Sequence, residues 1–203
     1  MYRIIFATGN AGKMKEIREI LSDLGAEILS MKEAGIRADI VEDGNTFEEN
    51  ALIKAKAVAA LLPEGSNTAV LADDSGLEID YLDGEPGIYS ARYMGEDTSY
   101  RIKNANLIQR LAGVPVEKRT ARFVCAIAAA FPDGSTVIRR GVIEGKIGYE
   151  ERGENGFGYD PIFYLPDMSR TTAELSPEEK NSISHRGRAL QAVKEDLAQR
   201  RKA

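Results

Sequence analysis

Tyr2-Arg3-Ile4-Ile5-Phe6-Ala7-Thr8-Gly9-Asn10-Ala11-Gly12-Lys13-Met14 is the stretch that decides the fold. From Tyr2 to Ala7 it is β-branched and aromatic, which predicts a buried strand. Thr8-Gly9-Asn10 then breaks it, and Met14, Ile17, Ile20, Leu21 and Leu24 recur at helical spacing up to Gly25. Strand, tight turn and helix in that order are the opening unit of an α/β fold. Free N–H groups at a helix start, the positive end of its dipole and a lysine ammonium together make a seat for phosphate. Thr8, Gly9, Asn10, Ala11, Gly12 and Lys13 are therefore candidate ligand-binding residues, although a plain turn between strand and helix could carry the same residues. The loop is not a Walker A motif: its GxxxxGK[ST] spacing is absent and Met14 follows the lysine, which argues against a P-loop kinase.

Outward from there, a short strand is expected near Glu27 to Ser30. After a polar stretch, Thr46-Phe47-Glu48-Glu49 has the capping-box pattern, opening an Ala-rich helix to about Leu62. Asn67 to Ala72 reads as a buried strand ending in Asp73-Asp74-Ser75-Gly76, with Leu77 to Leu82 a short extended continuation. A helix is expected from about Thr98 to Leu111. Ala121 to Phe131 and Thr136 to Ile143, joined through Asp133-Gly134, predict a long hairpin. Gly153 to Gly158 is glycine-rich, and Ser176-Pro177-Glu178-Glu179 combines an N-cap, a proline at the first helical position and a capping-box glutamate. A last helix carries Leu190, Val193 and Leu197 on one face. There is no internal repeat. The order predicts a mixed twisted sheet flanked by helices, with ligands bound beyond the carboxyl ends of its strands.

With 203 residues, the chain suits one large α/β domain, or a two-lobed body sharing one core. A net charge of -5 disfavours a broad nucleic-acid footprint, while leaving room for a small anion held by local cations. The single cysteine, Cys125, lies in an apolar run, so no intrachain disulfide forms. It is either a buried strand residue or a reactive thiol. No secretory signal and no run near the ~20 apolar residues of a membrane span is present, so a cytoplasmic setting is expected.

Four further constellations carry chemistry. Asp73 and Asp74, adjacent on a strand, should point to opposite faces, so that one could hold Mg²⁺ while the other orients; alternatively they form a polar strand exit. In the acidic group Glu42-Asp43, Glu48, Glu49 and Asn50, helix electrostatics account for Glu48 and Glu49, which leaves Glu42 as the metal candidate. Gly156-Phe157-Gly158-Tyr159-Asp160 offers close backbone approach and ring faces for a base, or simply core aromatics. Lys180 and the run to His185-Arg186 bring a point charge, the only histidine and a planar guanidinium. No apolar pattern surrounds His185, so burial in a core is not its expected setting.

Six blocks in order, TGNAGK (8–13), EDGNTFEENA (42–51), LADDSGL (71–77), PGIYSARY (86–93), GFGYDPIF (156–163) and AELSPEEKNSISHRGRAL (173–190), resemble the inosine triphosphate pyrophosphatase family, also called Ham1-like. The resemblance spans nearly the whole chain. It implies one domain over residues 1–203, an elongated two-lobed body with a central active-site cleft. It also implies Mg²⁺-dependent conversion of ITP, dITP and XTP to monophosphate and pyrophosphate, and a homodimer. By the same resemblance Thr8, Asn10 and Lys13 meet the triphosphate, Asp74 is the catalytic carboxylate serving metal and water, Asp73 supports it and Ser75 touches substrate. Phe157, Gly158, Tyr159 and Asp160 line the base and ribose site, and Lys180, His185 and Arg186 complete base recognition. One position departs: related sequences often show two glutamates where this chain has Val41-Glu42, which leaves the second metal carboxylate to be identified. A pyrophosphatase for another modified base and a non-catalytic nucleotide sensor are the rival readings.

Overall fold

The computed structural model describes residues 3–200; Tyr2, the expected head of the first strand, lies outside them. Among the described residues six strands, β1 (Arg3–Phe6), β2 (Glu27–Ser30), β3 (Thr68–Ile79), β4 (Thr120–Ala130), β5 (Thr136–Ile147) and β6 (Phe163–Tyr164), form one sheet in the order β2-β1-β3-β4-β5-β6. β1 runs parallel to both β2 and β3, whereas β5 and β6 are antiparallel, so the sheet is mixed as expected. The described residues also form five α-helices: α1 (Ala11–Ile20), α2 (Phe47–Ala59), α3 (Tyr100–Arg110), α4 (Pro177–Ile183) and α5 (His185–Arg200). Among the described residues no helix is long and apolar enough to cross a membrane.

The chain divides into two compact units. Of the described residues, the first holds 3–74, 125–141 and 186–200, and the second holds 75–124 and 142–185. In the first, Met14, Ile17 and Ile20 of α1 and Ala189, Leu190, Val193 and Leu197 of α5 join Ile4, Phe6, Leu71 and Ile127 in one core. Leu190, Val193 and Leu197 are fully buried, each worth about 1.5–3 kcal/mol of apolar transfer. In the second unit Leu77 and Ile79 of β3 pack with Leu107 of α3, Phe123 of β4 and Phe163 of β6.

Three expectations change. β3 does not stop at Ala72; it continues to Ile79, because Leu77 and Ile79 are themselves fully buried and carry the strand beyond the polar Asp-Asp-Ser-Gly run. α2 ends at Ala59, and the bonds Leu61 N to Val58 O and Leu62 N to Ala59 O tighten the chain into a closing turn that leaves Leu61 exposed. At its other end Thr46 accepts from the N–H of Glu49 as expected, but Glu49 accepts from the N–H of Asn45 and not from that of Thr46. At α4 both halves of the box form around Ser176 and Glu179.

Candidate active site

β1 and β3 are paired in register from Arg3 and Thr68 to Phe6 and Leu71, and the N–H of Ala7 still donates to Leu71 O at 2.7 Å. The Thr8 turn therefore leaves the sheet beside Asp73 and Asp74. Thr8 Oγ1 accepts from the N–H of Asn10, and Asn10 Oδ1 caps α1 by accepting from the N–H of Lys13 at 3.0 Å. Lys13 then starts on the first turn of α1, where its Nζ reaches Asp73 Oδ2 at 2.9 Å.

Strand parity sends the two aspartates apart. Asp73, 1% exposed, meets Lys13 and, at 3.4 Å, the guanidinium of Arg186, which also pairs with Glu16 of α1. Burial alone would raise the Asp73 carboxyl, but Lys13, Arg186 and Lys54 outweigh it and hold it well below the ordinary carboxylate range. Asp74 faces α2. There Asn50 Nδ2 donates to its Oδ2 at 3.3 Å, and Lys54 Nζ stands 3.6 Å from its Oδ1. Burial raises the Asp74 carboxyl and the charge of Glu42 adds to the rise, with Lys54 and Asn50 only partly opposing it. The two neighbours thus have opposite characters: Asp73 is an anion held between cations, and Asp74 is a carboxyl whose proton affinity burial and Glu42 raise.

The position of Glu42 follows from the chain around it. From Ile36 to Asn45 the residues alternate between half-buried and exposed, with Ile36, Ala38, Ile40, Glu42 and Gly44 on the covered side. Glu42 therefore turns in and accepts from Lys54 Nζ at 2.8 Å, while Val41 is 74% exposed. The departure at Val41 falls on the solvent side, and Glu42 is the acidic residue that shares a cation with Asp74. Gly44 completes the arrangement: its N–H donates to Asn50 Oδ1 at 2.9 Å, and a Cβ there would stand 2.7 Å from that same oxygen.

In the second unit the aromatic loop is built around Asp160. This carboxylate, 3% exposed, accepts from Lys180 Nζ at 2.7 Å, from the N–H of Phe157 at 2.8 Å and from Thr172 Oγ1 at 2.8 Å. Lys180 Nζ also lies 4.9 Å from the centre of the Phe157 ring. Gly156 holds φ at +74°, and a Cβ there would fall inside the Asp160 carboxylate. Tyr159 donates its hydroxyl to Ser90 O at 2.6 Å, and burial drives that phenol far above its ordinary value. Gly158 and the half-buried Ser75 also belong to this unit.

His185 departs from expectation. It is 6% exposed and its ring lies stacked on Phe123, with 4.9 Å between centroids and 20° between planes. A flat imidazole covers that aromatic ring although no apolar periodicity surrounds it in sequence. Of the expected site residues, Thr8, Asn10, Lys13, Glu42, Asp73, Asp74 and Arg186 fall in the first unit; Ser75, Phe157, Gly158, Tyr159, Asp160, Lys180 and His185 fall in the second. Lys54 and Glu16 join the site without a motif of their own, and Asn50 joins it from the acidic group at the start of α2. Their signal is helical spacing: Asn50 and Lys54 are four apart on α2, and Lys13 and Glu16 three apart on α1.

Known proteins match along nearly the full chain. The model of the Ham1 family matches residues 4–196. A dITP/XTP pyrophosphatase of Exiguobacterium sibiricum is 50% identical over 195 residues, 96% of each chain. That of Bacillus subtilis is 49% identical over 193 residues, 95% of this chain and 96% of its own. Among solved structures, the Ham1 protein of Staphylococcus aureus superposes with a TM-score of 0.84 at 42% identity, covering 98% of this chain and 99% of that one. Sequence and fold agree over the same span, and the chain belongs to the Ham1 family.

Proposed function

We propose that this chain is a nucleoside triphosphate pyrophosphohydrolase that converts ITP, dITP and XTP to the monophosphate and pyrophosphate. The observation that carries the proposal is the asymmetry of Asp73 and Asp74, one neutralised by Lys13 and Arg186, the other buried beside Glu42 with its carboxyl raised. A carboxylate whose proton affinity is raised suits a general base. The Thr8–Lys13 turn supplies main-chain N–H groups and an ammonium for phosphate oxygens. Asp74 orients a water and takes its proton as the oxygen attacks the α-phosphorus. The bridging P–O bond to the β-phosphate breaks, pyrophosphate leaves, and the proton passes from Asp74 to solvent.

Asp74 and Glu42 are the residues that would hold Mg²⁺. They fit it chemically: both are oxygen donors, and added positive charge relieves a carboxyl that burial and a neighbouring acid have raised. Among the described residues no three His, Cys, Asp or Glu side chains gather to cage a metal alone. When bound, the ion would neutralise phosphate charge and help the leaving pyrophosphate depart.

Base selection is assigned to Phe157, Gly158, Tyr159, Asp160, Lys180, His185 and Arg186. A donor aimed at the purine 6-position satisfies the oxygen of hypoxanthine or xanthine and is left unpaired by adenine's amine. The test is pyrophosphate release from ITP, XTP, GTP and ATP with and without Mg²⁺. We expect kcat/KM for ITP and XTP to exceed that for ATP by about 100-fold or more. Equal rates would defeat the base reading, and binding of ITP without pyrophosphate release would favour a sensor. The homodimer and the cytoplasmic setting remain part of the proposal on family grounds, and light scattering in solution tests the first.

A further inference from the structure

One face of α3 carries Tyr100, Lys103, Asn104 and Leu107 at spacings of three and four. Leu107 belongs to the core of the second unit; Tyr100 and Asn104 touch the loop assigned to the base, and Lys103 holds the segment that receives the Tyr159 hydroxyl. Tyr100 meets the Tyr159 ring edge-on at 5.2 Å. Lys103, 1% exposed, donates Nζ to Ala91 O at 2.7 Å, next to the Ser90 carbonyl that receives the Tyr159 hydroxyl. Asn104, also 1% exposed, donates Nδ2 to Gly158 O at 3.3 Å and to Glu151 Oε1 at 2.8 Å.

The Asn104 amide is used from one side only. Its Oδ1 is buried with no hydrogen-bond partner among the described residues, while its nitrogen joins two separate segments. Buried acceptors are rarely left unsatisfied, and a residue chosen for packing alone would be apolar here. What the amide supplies is a donor that fixes the Gly158 carbonyl, in a loop where Gly158 itself holds φ at +69°. The N–H of Asp160 donates to Phe157 O at 3.3 Å and closes a turn over Gly158 and Tyr159. Turn types differ in the orientation of their central peptide, and here the Asn104 bond sets where the Gly158 carbonyl, and the N–H of Tyr159 beyond it, point.

We propose that Asn104 is a positioning residue for base selection: its Nδ2, steered by Glu151, holds the Gly158 peptide in the orientation that receives the purine. The inference rests on the assignment of the 156–160 loop to the base. It predicts an effect on base-dependent affinity and none on phosphate-dependent affinity.

The experiment compares Asn104→Leu, which keeps the branching at Cγ and removes both donors, with Glu151→Ala at an exposed position where folding is not at stake. Steady-state kinetics with ITP are paired with inhibition by inorganic tripolyphosphate, which has no base. Asn104→Leu should raise KM for ITP about tenfold, the scale of one buried hydrogen bond, with kcat within about twofold and tripolyphosphate inhibition unchanged. Glu151→Ala should move KM in the same direction by a smaller factor, and Asn104→Ser, which restores a donor, should recover part of the loss. An unchanged KM in both Asn104→Leu and Glu151→Ala overturns the inference, as does a loss of tripolyphosphate binding equal to that of ITP. Phe157→Ala separates the two levels. If it shifts KM for ITP and Asn104→Leu does not, only the positioning role fails; if neither does, the base assignment of the loop has failed.

Discussion

Replacing each of the two adjacent aspartates by asparagine should move stability in opposite directions. Asp73→Asn removes the anion between Lys13, at 2.9 Å, and Arg186, at 3.4 Å, in a position only 1% exposed. Breaking a buried ion pair by deleting one partner costs about 3–5 kcal/mol. Arg186 keeps Glu16, and the Lys13 side chain, 19% exposed, can recover some hydration, so the loss belongs at the lower end, about 3 kcal/mol. For a chain of this size that lowers Tm by about 6–12 °C. Asp74→Asn instead removes a charge whose burial is unfavourable, leaves Lys54 paired with Glu42, and keeps an oxygen for Asn50; it should match or exceed the parent in Tm while abolishing turnover. The pH dependence has opposite signs at the two sites. The Asp73 carboxyl is depressed on folding, so its stabilisation is full above the unfolded value near 4 and fades as pH falls through its lower folded value. The Asp74 carboxyl is raised, so its ionisation costs stability at neutral pH, and that cost disappears as pH falls through its folded value. The assay is calorimetric melting in chelator, from pH 7 down to about pH 3.5, where the Asp73→Asn deficit should begin to shrink. Equal destabilisation by both variants at pH 7, or a shift below about 2 °C for Asp73→Asn, would refute the assignment of opposite characters.

The geometry sets two more outcomes. Val41→Glu should leave the Mg²⁺ concentration for half-maximal activity within about twofold of the parent, since position 41 faces solvent, whereas Glu42→Gln should raise it about tenfold or more, read from a Mg²⁺ titration at fixed ITP. Gly156→Ala should raise KM for ITP about tenfold and lower Tm, because its Cβ would displace the Asp160 carboxylate from Lys180 and its φ is in the left-handed region; an unaltered KM would count against the loop's role.

The opening strand, turn and helix were legible because the period of the apolar residues changes at Thr8-Gly9-Asn10 and both the cap and the lysine are local. The opposed aspartates were legible too, from strand parity alone. The length of β3 was not: Asp-Asp-Ser-Gly has the composition of a breaker, and only the burial of Leu77 and Ile79 keeps the strand going. Nor was the role of Lys54, whose partners Glu42 and Asp74 come from a loop before its helix and a strand after it. Arg186 meets Glu16 across 170 positions of chain, a contact no local pattern encodes. His185 shows the converse limit, since its ring stacks on Phe123, which lies far away in sequence.

The helix α2 works as a ruler. Asn50 and Lys54 sit one turn apart, Asn50 gripping Gly44 and Asp74, and Lys54 reaching Glu42 and Asp74. Each added residue turns the rest of the helix by about 100°, so a one-residue insertion between Asn50 and Lys54 would swing the ammonium away from both acids while leaving composition and charge nearly untouched. An exposed side chain such as Lys56 can be exchanged at little cost to this geometry, which depends instead on the number of residues across that turn.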